Sequence, residues 1–142
     1  LLEIILVMAI IALASLLAAA AMGGGFRGMQ LSSSAHQIAS NLRFTRAQAI
    51  ATGKPQRFLI DPHAHTWHAP KSRHGDIPPK LGIAFIGARE VQPRADEGAI
   101  EFFPDGAATG GRIQLSSGKA TWNVDVAWLT GQVQITHGTV DR

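Results

Sequence analysis

The chain opens on a nearly unbroken apolar run. From Ile4 to Met22 the only polar side chain is Ser15, and Glu3 stands at the head of the run. These 19 residues would make a helix of roughly 28 Å, close to the hydrocarbon thickness of a bilayer at about 30 Å. A core helix can be apolar all round, but one at the end of a small domain has little to hide in. A secretory signal peptide would carry a basic leading region and a shorter apolar core. The chain instead starts Leu1-Leu2-Glu3, with no Met and no basic flank. The expectation is therefore a membrane-inserted helix, in a form whose leader is absent.

Gly23-Gly24-Gly25 follows and is expected to break or loosen the helix, since each glycine costs about 1 kcal/mol against alanine in a helix interior. Apolar residues return at Leu31, Ala35, Ile38, Leu42 and Ala49, at spacings of 4, 3, 4 and 7, which is a helical stripe. Arg43, Arg46 and Gln48 fall off that stripe, Arg43 and Arg46 at its edge. Thr52-Gly53, with Pro55 close behind, supplies a stop. The opening element is thus one long helix, apolar first and amphipathic after.

From Lys54 the pattern changes to short strands. Gln56–Ile60 ends at the turn dipeptide Asp61-Pro62, and Thr66–Ala69 returns as its hairpin partner. Lys71–Lys80 reads as a loop rich in Pro, Gly and charge. Leu81–Ile86, Ala99–Phe103, Arg112–Ser116, Ala120–Leu129 and Gln132–Thr136 read as strands, with a turn at Pro104-Asp105-Gly106 and a tight connection at Thr130-Gly131. Val124, Val126 and Trp128 alternate with polar or small neighbours, so that face is expected to be buried, and Trp122 shares its parity. The predicted class is α+β, a long N-terminal helix packed on a small antiparallel β-sheet domain. The divisions are 1–25 for the membrane helix, 26–53 for its amphipathic extension and 54–142 for the β domain.

Composition narrows the classes. At 142 residues the chain holds one domain besides its apolar segment. Thirteen basic against ten acidic residues is a mild excess, not the balance of a protein that coats nucleic acid. The absence of cysteine excludes disulfides, thiolate metal sites and a cysteine nucleophile.

Glu3 is the candidate functional residue. A carboxylate costs roughly 2.5–3.5 kcal/mol at the centre of a membrane helix, and less near its end. No basic residue precedes Arg27, so its partner must come from another chain or from the chain's own start. That makes Glu3 a subunit-assembly residue.

The order of parts, an acid near the start of an apolar helix, an amphipathic extension and a closing β domain, resembles type IV pilins and type II secretion pseudopilins. Leu1-Leu2-Glu3-Ile4-Ile5-Leu6-Val7 matches the stretch that follows the prepilin peptidase cut in that family. The resemblance implies that two mature residues are missing here and that Glu3 is the family's fifth-position glutamate. Asn41-Leu42-Arg43-Phe44-Thr45-Arg46-Ala47-Gln48-Ala49-Ile50, Phe102-Phe103-Pro104-Asp105-Gly106, Gly110-Gly111-Arg112-Ile113-Gln114-Leu115 and Trp128-Leu129-Thr130-Gly131-Gln132-Val133 resemble motifs of the H-type minor pseudopilins. The major pseudopilin fits less well, because no acidic calcium-binding loop stands near the C-terminus. The resemblance implies a pilin-like fold and a single-pass inner-membrane protein with a periplasmic domain. It implies a filament-core role for residues 1–25. The partners implied are other major and minor pseudopilins, the inner-membrane secretion platform and the prepilin peptidase, with no cofactor.

Rival chemistries are weaker. Asp61, His63, His65 and His68 could suit Zn²⁺ by residue type, with His63 and His65 sharing a strand face. His68 has the opposite parity, however, and the spacing fits no zinc motif, so a His-rich hairpin rim is the better reading and no metal is assigned. Ser116, Ser117 and His137 lack a nucleophile elbow, so no catalytic residue is assigned. The alternative class is a minor type IV pilin of a pilus or DNA-uptake system. Some of these bind DNA through basic residues near the C-terminus, but here only Arg142 is basic, beside Asp141. Lys71, Arg73 and Lys80 form a mild basic loop. Nucleic-acid contacts need clustered cations, so nucleic acid is not assigned as a partner. Among the tryptophans, Trp128 is expected in the core and Trp67 at a hairpin edge as a contact residue.

Overall fold

A computed structural model describes residues 1–88 and 96–139, with 22–24 and 26 described by their backbone alone. One α-helix, α1, runs from Leu2 to Thr52 without interruption through the glycines. At 51 residues it is about 76 Å long. The helix is the one long element expected: three glycines weaken a helix, but neighbouring turns on both sides propagate cooperatively. Gly53 ends it with φ 65°, a left-handed cap whose N–H donates to Ala49 O at 3.1 Å.

Among the described residues eight strands follow: β1 Gln56–Asp61, β2 Thr66–Ala69, β3 Arg73–Asp76, β4 Gly82–Gly87, β5 Gly98–Phe102, β6 Gly111–Ser117, β7 Ala120–Val126 and β8 Val133–Thr139. They form two antiparallel sheets, ordered β3-β2-β1-β5 and β4-β6-β7-β8. The second half of α1 lies against both. Its stripe of Leu31, Ala35, Ile38, Leu42 and Ala49 is buried as expected. Full burial of each leucine or isoleucine contributes about 1.5–3 kcal/mol. Facing them are Phe58, Ile60, Ile100 and Phe102 of the first sheet and Ile113, Leu115 and Val124 of the second. The stripe is wider than its apolar residues suggest, because Thr45 is also buried. Its hydroxyl donates back to Asn41 O at 2.7 Å, so it enters the core with its polar group satisfied.

Three expectations need correction. Lys71–Lys80 contains strand β3, paired with β2. Lys71 and Ser72 take positive φ (60° and 59°), and Pro70 O accepts the N–H of Arg73 across them, a sharp reversal of the kind hairpins use. Trp67 is buried, stacked on Phe58 with ring centroids 5.7 Å apart, and is not a surface residue. Trp128 lies beyond the end of β7 in a turn and is 70% exposed. Trp122 is half-buried, flanked by His36 and His137 at centroid distances of 5.5 and 5.0 Å.

Candidate assembly site: the projecting helix

The start of α1, Leu2–Ala21, is left uncovered by the rest of the chain among the described residues. Leu2–Ala21 is long and apolar enough to cross a membrane, and none of it is buried. A soluble protein's core helix would be covered, whereas here Leu2, Ile4, Ile5, Leu6 and Met8 all stand open. Ser15, the run's one polar side chain, donates its hydroxyl to Ile11 O at 2.8 Å, which removes most of the cost of placing it in an apolar medium.

Glu3 lies in the first turn of α1, exposed, and helps line a shallow depression with Ile4, Val7 and Met8. Along the chain the next basic residue is Arg27, roughly 36 Å away up the helix axis. No side chain of the described residues pairs with Glu3. The arrangement is an apolar helix, bare along Leu2–Ala21, with one carboxylate in its first turn.

The other candidates do not converge. His63 and His65 lie in the β1–β2 turn, not on a strand, where Asp61 Oδ1 accepts the N–H groups of His63 and Ala64 at 2.9 and 3.0 Å. His68 instead faces His74 across β2 and β3, with ring centroids 6.2 Å apart. Among the described residues no three His, Cys, Asp or Glu side chains gather as metal ligands. His137 packs on Trp122 and bonds neither Ser116 nor Ser117. Arg73 of the basic loop lies over the Phe44 ring, 3.8 Å from its centroid, which ties it to the helix. Asp141 and Arg142 lie outside the described residues. Arg43 and Arg46 do edge the packed stripe: Arg43 Nη2 donates to Val133 O at 3.2 Å and Arg46 Nε to Gly106 O at 3.0 Å.

A β domain carried on one long helix, with the helix's apolar half left bare, defines a pilin-like protein. Solved structures agree on the fold. The minor pseudopilin EpsH of the Vibrio cholerae Type 2 Secretion System matches with a TM-score of 0.59 at 13% identity, over 75% of this chain and 96% of that one. The type IV minor pilin FimU of Pseudomonas aeruginosa matches with a TM-score of 0.56 at 13% identity, over 75% and 92%. Sequence is more specific. Residues 34–131 match the model of the family described as Type II transport protein GspH. The chain is also 60% identical over 134 residues to the Type II secretion system protein H of Xanthomonas campestris pv. campestris, covering 94% of this chain and 79% of that protein. The chain belongs to the GspH family.

Proposed function

We propose that this chain is a minor pseudopilin, a structural subunit of the type II secretion pseudopilus that helps export folded proteins across the outer membrane. The observation that carries the reading is the bare apolar helix Leu2–Ala21, headed by Glu3, on a pilin-like domain. In this reading residues 1–25 anchor the subunit in the inner membrane and later join the filament core. Residues 26–53 bind the helix to its domain, and residues 54–142 stand in the periplasm. The helices of neighbouring subunits pack by interdigitating side chains. Glu3 pairs with the N-terminal amine of a neighbour as the helix leaves the bilayer, which offsets the cost of burying both charges. Partners are the other major and minor pseudopilins and the inner-membrane platform, after a prepilin peptidase has processed the precursor.

The alternative, a minor pilin of a type IV pilus or DNA-uptake system, shares the fold: the FimU likeness is nearly as good as the EpsH likeness. Sequence identity to a type II secretion protein favours secretion. The test is deletion of the gene in its own organism, with exoprotein release and DNA uptake assayed together. Exoproteins held in the periplasm with normal transformation are expected. Normal release with lost transformation or twitching would move the protein to the pilus.

A further inference from the structure

His68 on β2 and His74 on β3 are direct cross-strand partners, and both are exposed. Opposed residues of an antiparallel pair have Cβ atoms about 4.5–5.5 Å apart. Their chain neighbours Trp67 and Gly75 face the core, where the indole fills the space the glycine leaves. The two imidazoles therefore rise side by side from the outer face of the sheet. Their ring centroids are 6.2 Å apart, with the planes tilted by 43°. With metal–nitrogen bonds of about 2.0–2.1 Å, two imidazoles on one ion have centroids roughly 4.5 Å apart at a right angle and roughly 6.4 Å apart when opposed. The observed spacing falls within that range, and exposed rings are free to turn about their side-chain bonds. Leu59 of β1 is the partner of His68 on its other side, so an apolar group closes the row there. Arg73 lies over the Phe44 ring, which holds its charge on the helix side of the sheet. Among the described residues no third His, Cys, Asp or Glu joins the pair, which leaves the other coordination positions to water.

We propose that His68 and His74 chelate one divalent late transition-metal ion, Cu²⁺ most tightly and Ni²⁺ and Zn²⁺ after it. Neutral imidazole is a favoured ligand of these ions, and Cu²⁺ heads the affinity order that nitrogen sites follow. Ca²⁺ and Mg²⁺ take shells of oxygen ligands and do not suit the pair. Two ligands preset on one ladder bind better than two separate ones, because the second bond forms at high effective concentration. The ion also has a structural consequence. Among the described residues β3 is a four-residue edge strand paired on one side only. A metal held between His74 and His68 pins it to β2 in register. The site lies on the β domain and is independent of the assembly role. His63 and His65 lie in the β1–β2 turn and take no part in it.

The test titrates Cu²⁺ into the full chain in detergent, followed by calorimetry and electron paramagnetic resonance. One tightly bound ion carrying the nitrogen couplings of two imidazoles is expected. His68→Gln and His74→Gln should each weaken binding by roughly ten-fold or more. The double substitution should weaken it little further, since the two ligands act as one chelate. His63→Gln combined with His65→Gln should leave binding unchanged. Zn²⁺ should raise the Tm of the wild-type chain and leave that of His74→Gln unmoved. Both side chains are exposed, and an unchanged metal-free Tm serves as the control for folding in each variant. Cu²⁺ held equally well by the double variant, binding that survives either single substitution, or losses that simply add would each overturn the inference.

Discussion

Arg46 on the helix and Gly106 on the β5–β6 turn are joined by a 3.0 Å bond from Nε to the glycine carbonyl, sixty residues apart in sequence. The turn that presents this carbonyl is the Pro104-Asp105-Gly106 reversal: Gly106 N–H donates to Phe103 O at 2.9 Å, and Asp105 Oδ1 accepts the N–H of Ala107 at 3.0 Å. Gly131 closes the same junction. A Cβ there would come within 2.1 Å of Gly106 O and 3.0 Å of Arg46 Nε, at φ 68°.

Gly131→Ala should therefore destabilise the domain well beyond the roughly 1–2 kcal/mol that a left-handed φ alone costs. Gly53→Ala is the control, because its φ is 65° and nothing lies within 4 Å of its added methyl. Thermal unfolding of the full chain in detergent should show a clearly larger loss of Tm for Gly131→Ala. Equal losses would mean that the junction yields at little cost.

Trp67 and Gly75 are opposite one another on β2 and β3, and a Cβ on Gly75 would meet the indole at 2.5 Å. The ring fills the space the glycine leaves. Trp67→Ala should cost about 3–5 kcal/mol, as expected for a buried tryptophan, and Gly75→Ala should also destabilise by displacing the ring. Denaturant unfolding checks both, and a Trp67→Ala midpoint near wild type would place the ring outside the core.

Trp67 and Trp128 should separate in acrylamide quenching. Trp128, at 70% exposed, should dominate the quenchable emission, and Trp67, at 3%, should be nearly silent to quencher. Trp128→Phe should remove most of the quenchable component and blue-shift the remainder. An unchanged quenching constant would restore the core assignment expected from strand parity.

The helix and most of the strands were legible because their signals are periodic. The stripe from Leu31 to Ala49 and the turn at Pro104-Asp105-Gly106 follow from local chemistry alone. Strand β3 was hidden because Arg73-His74-Gly75-Asp76 has no apolar alternation. It is an edge strand with three of its four residues exposed, and edges tolerate polar sequence. Trp128 was misplaced because its parity with Val124 and Val126 counts only while the strand continues, and β7 ends at Val126. Trp67 was misplaced because the space that receives it is made by a glycine on a strand the sequence did not reveal. Glu3 was legible as an anomaly, a charge in an apolar run, whereas the facing of His68 and His74 depends on β3 pairing with β2 and has no local signature.

The bare helix with Glu3 at its tip is the centre of the proposed role, and the chain has no cysteine of its own. A single cysteine placed at Leu16, which is 70% exposed, thus gives an unambiguous cross-linking site within the apolar half. In membranes of secreting cells this variant should cross-link to pilin-like subunits carrying a cysteine at the matching helix position. Adding Glu3→Ala should reduce the cross-link several-fold, while unfolding of the β domain stays at the wild-type midpoint. A full cross-link yield with Glu3→Ala, or no cross-link to any pilin-like subunit with Glu3 intact, would contradict assembly through this helix.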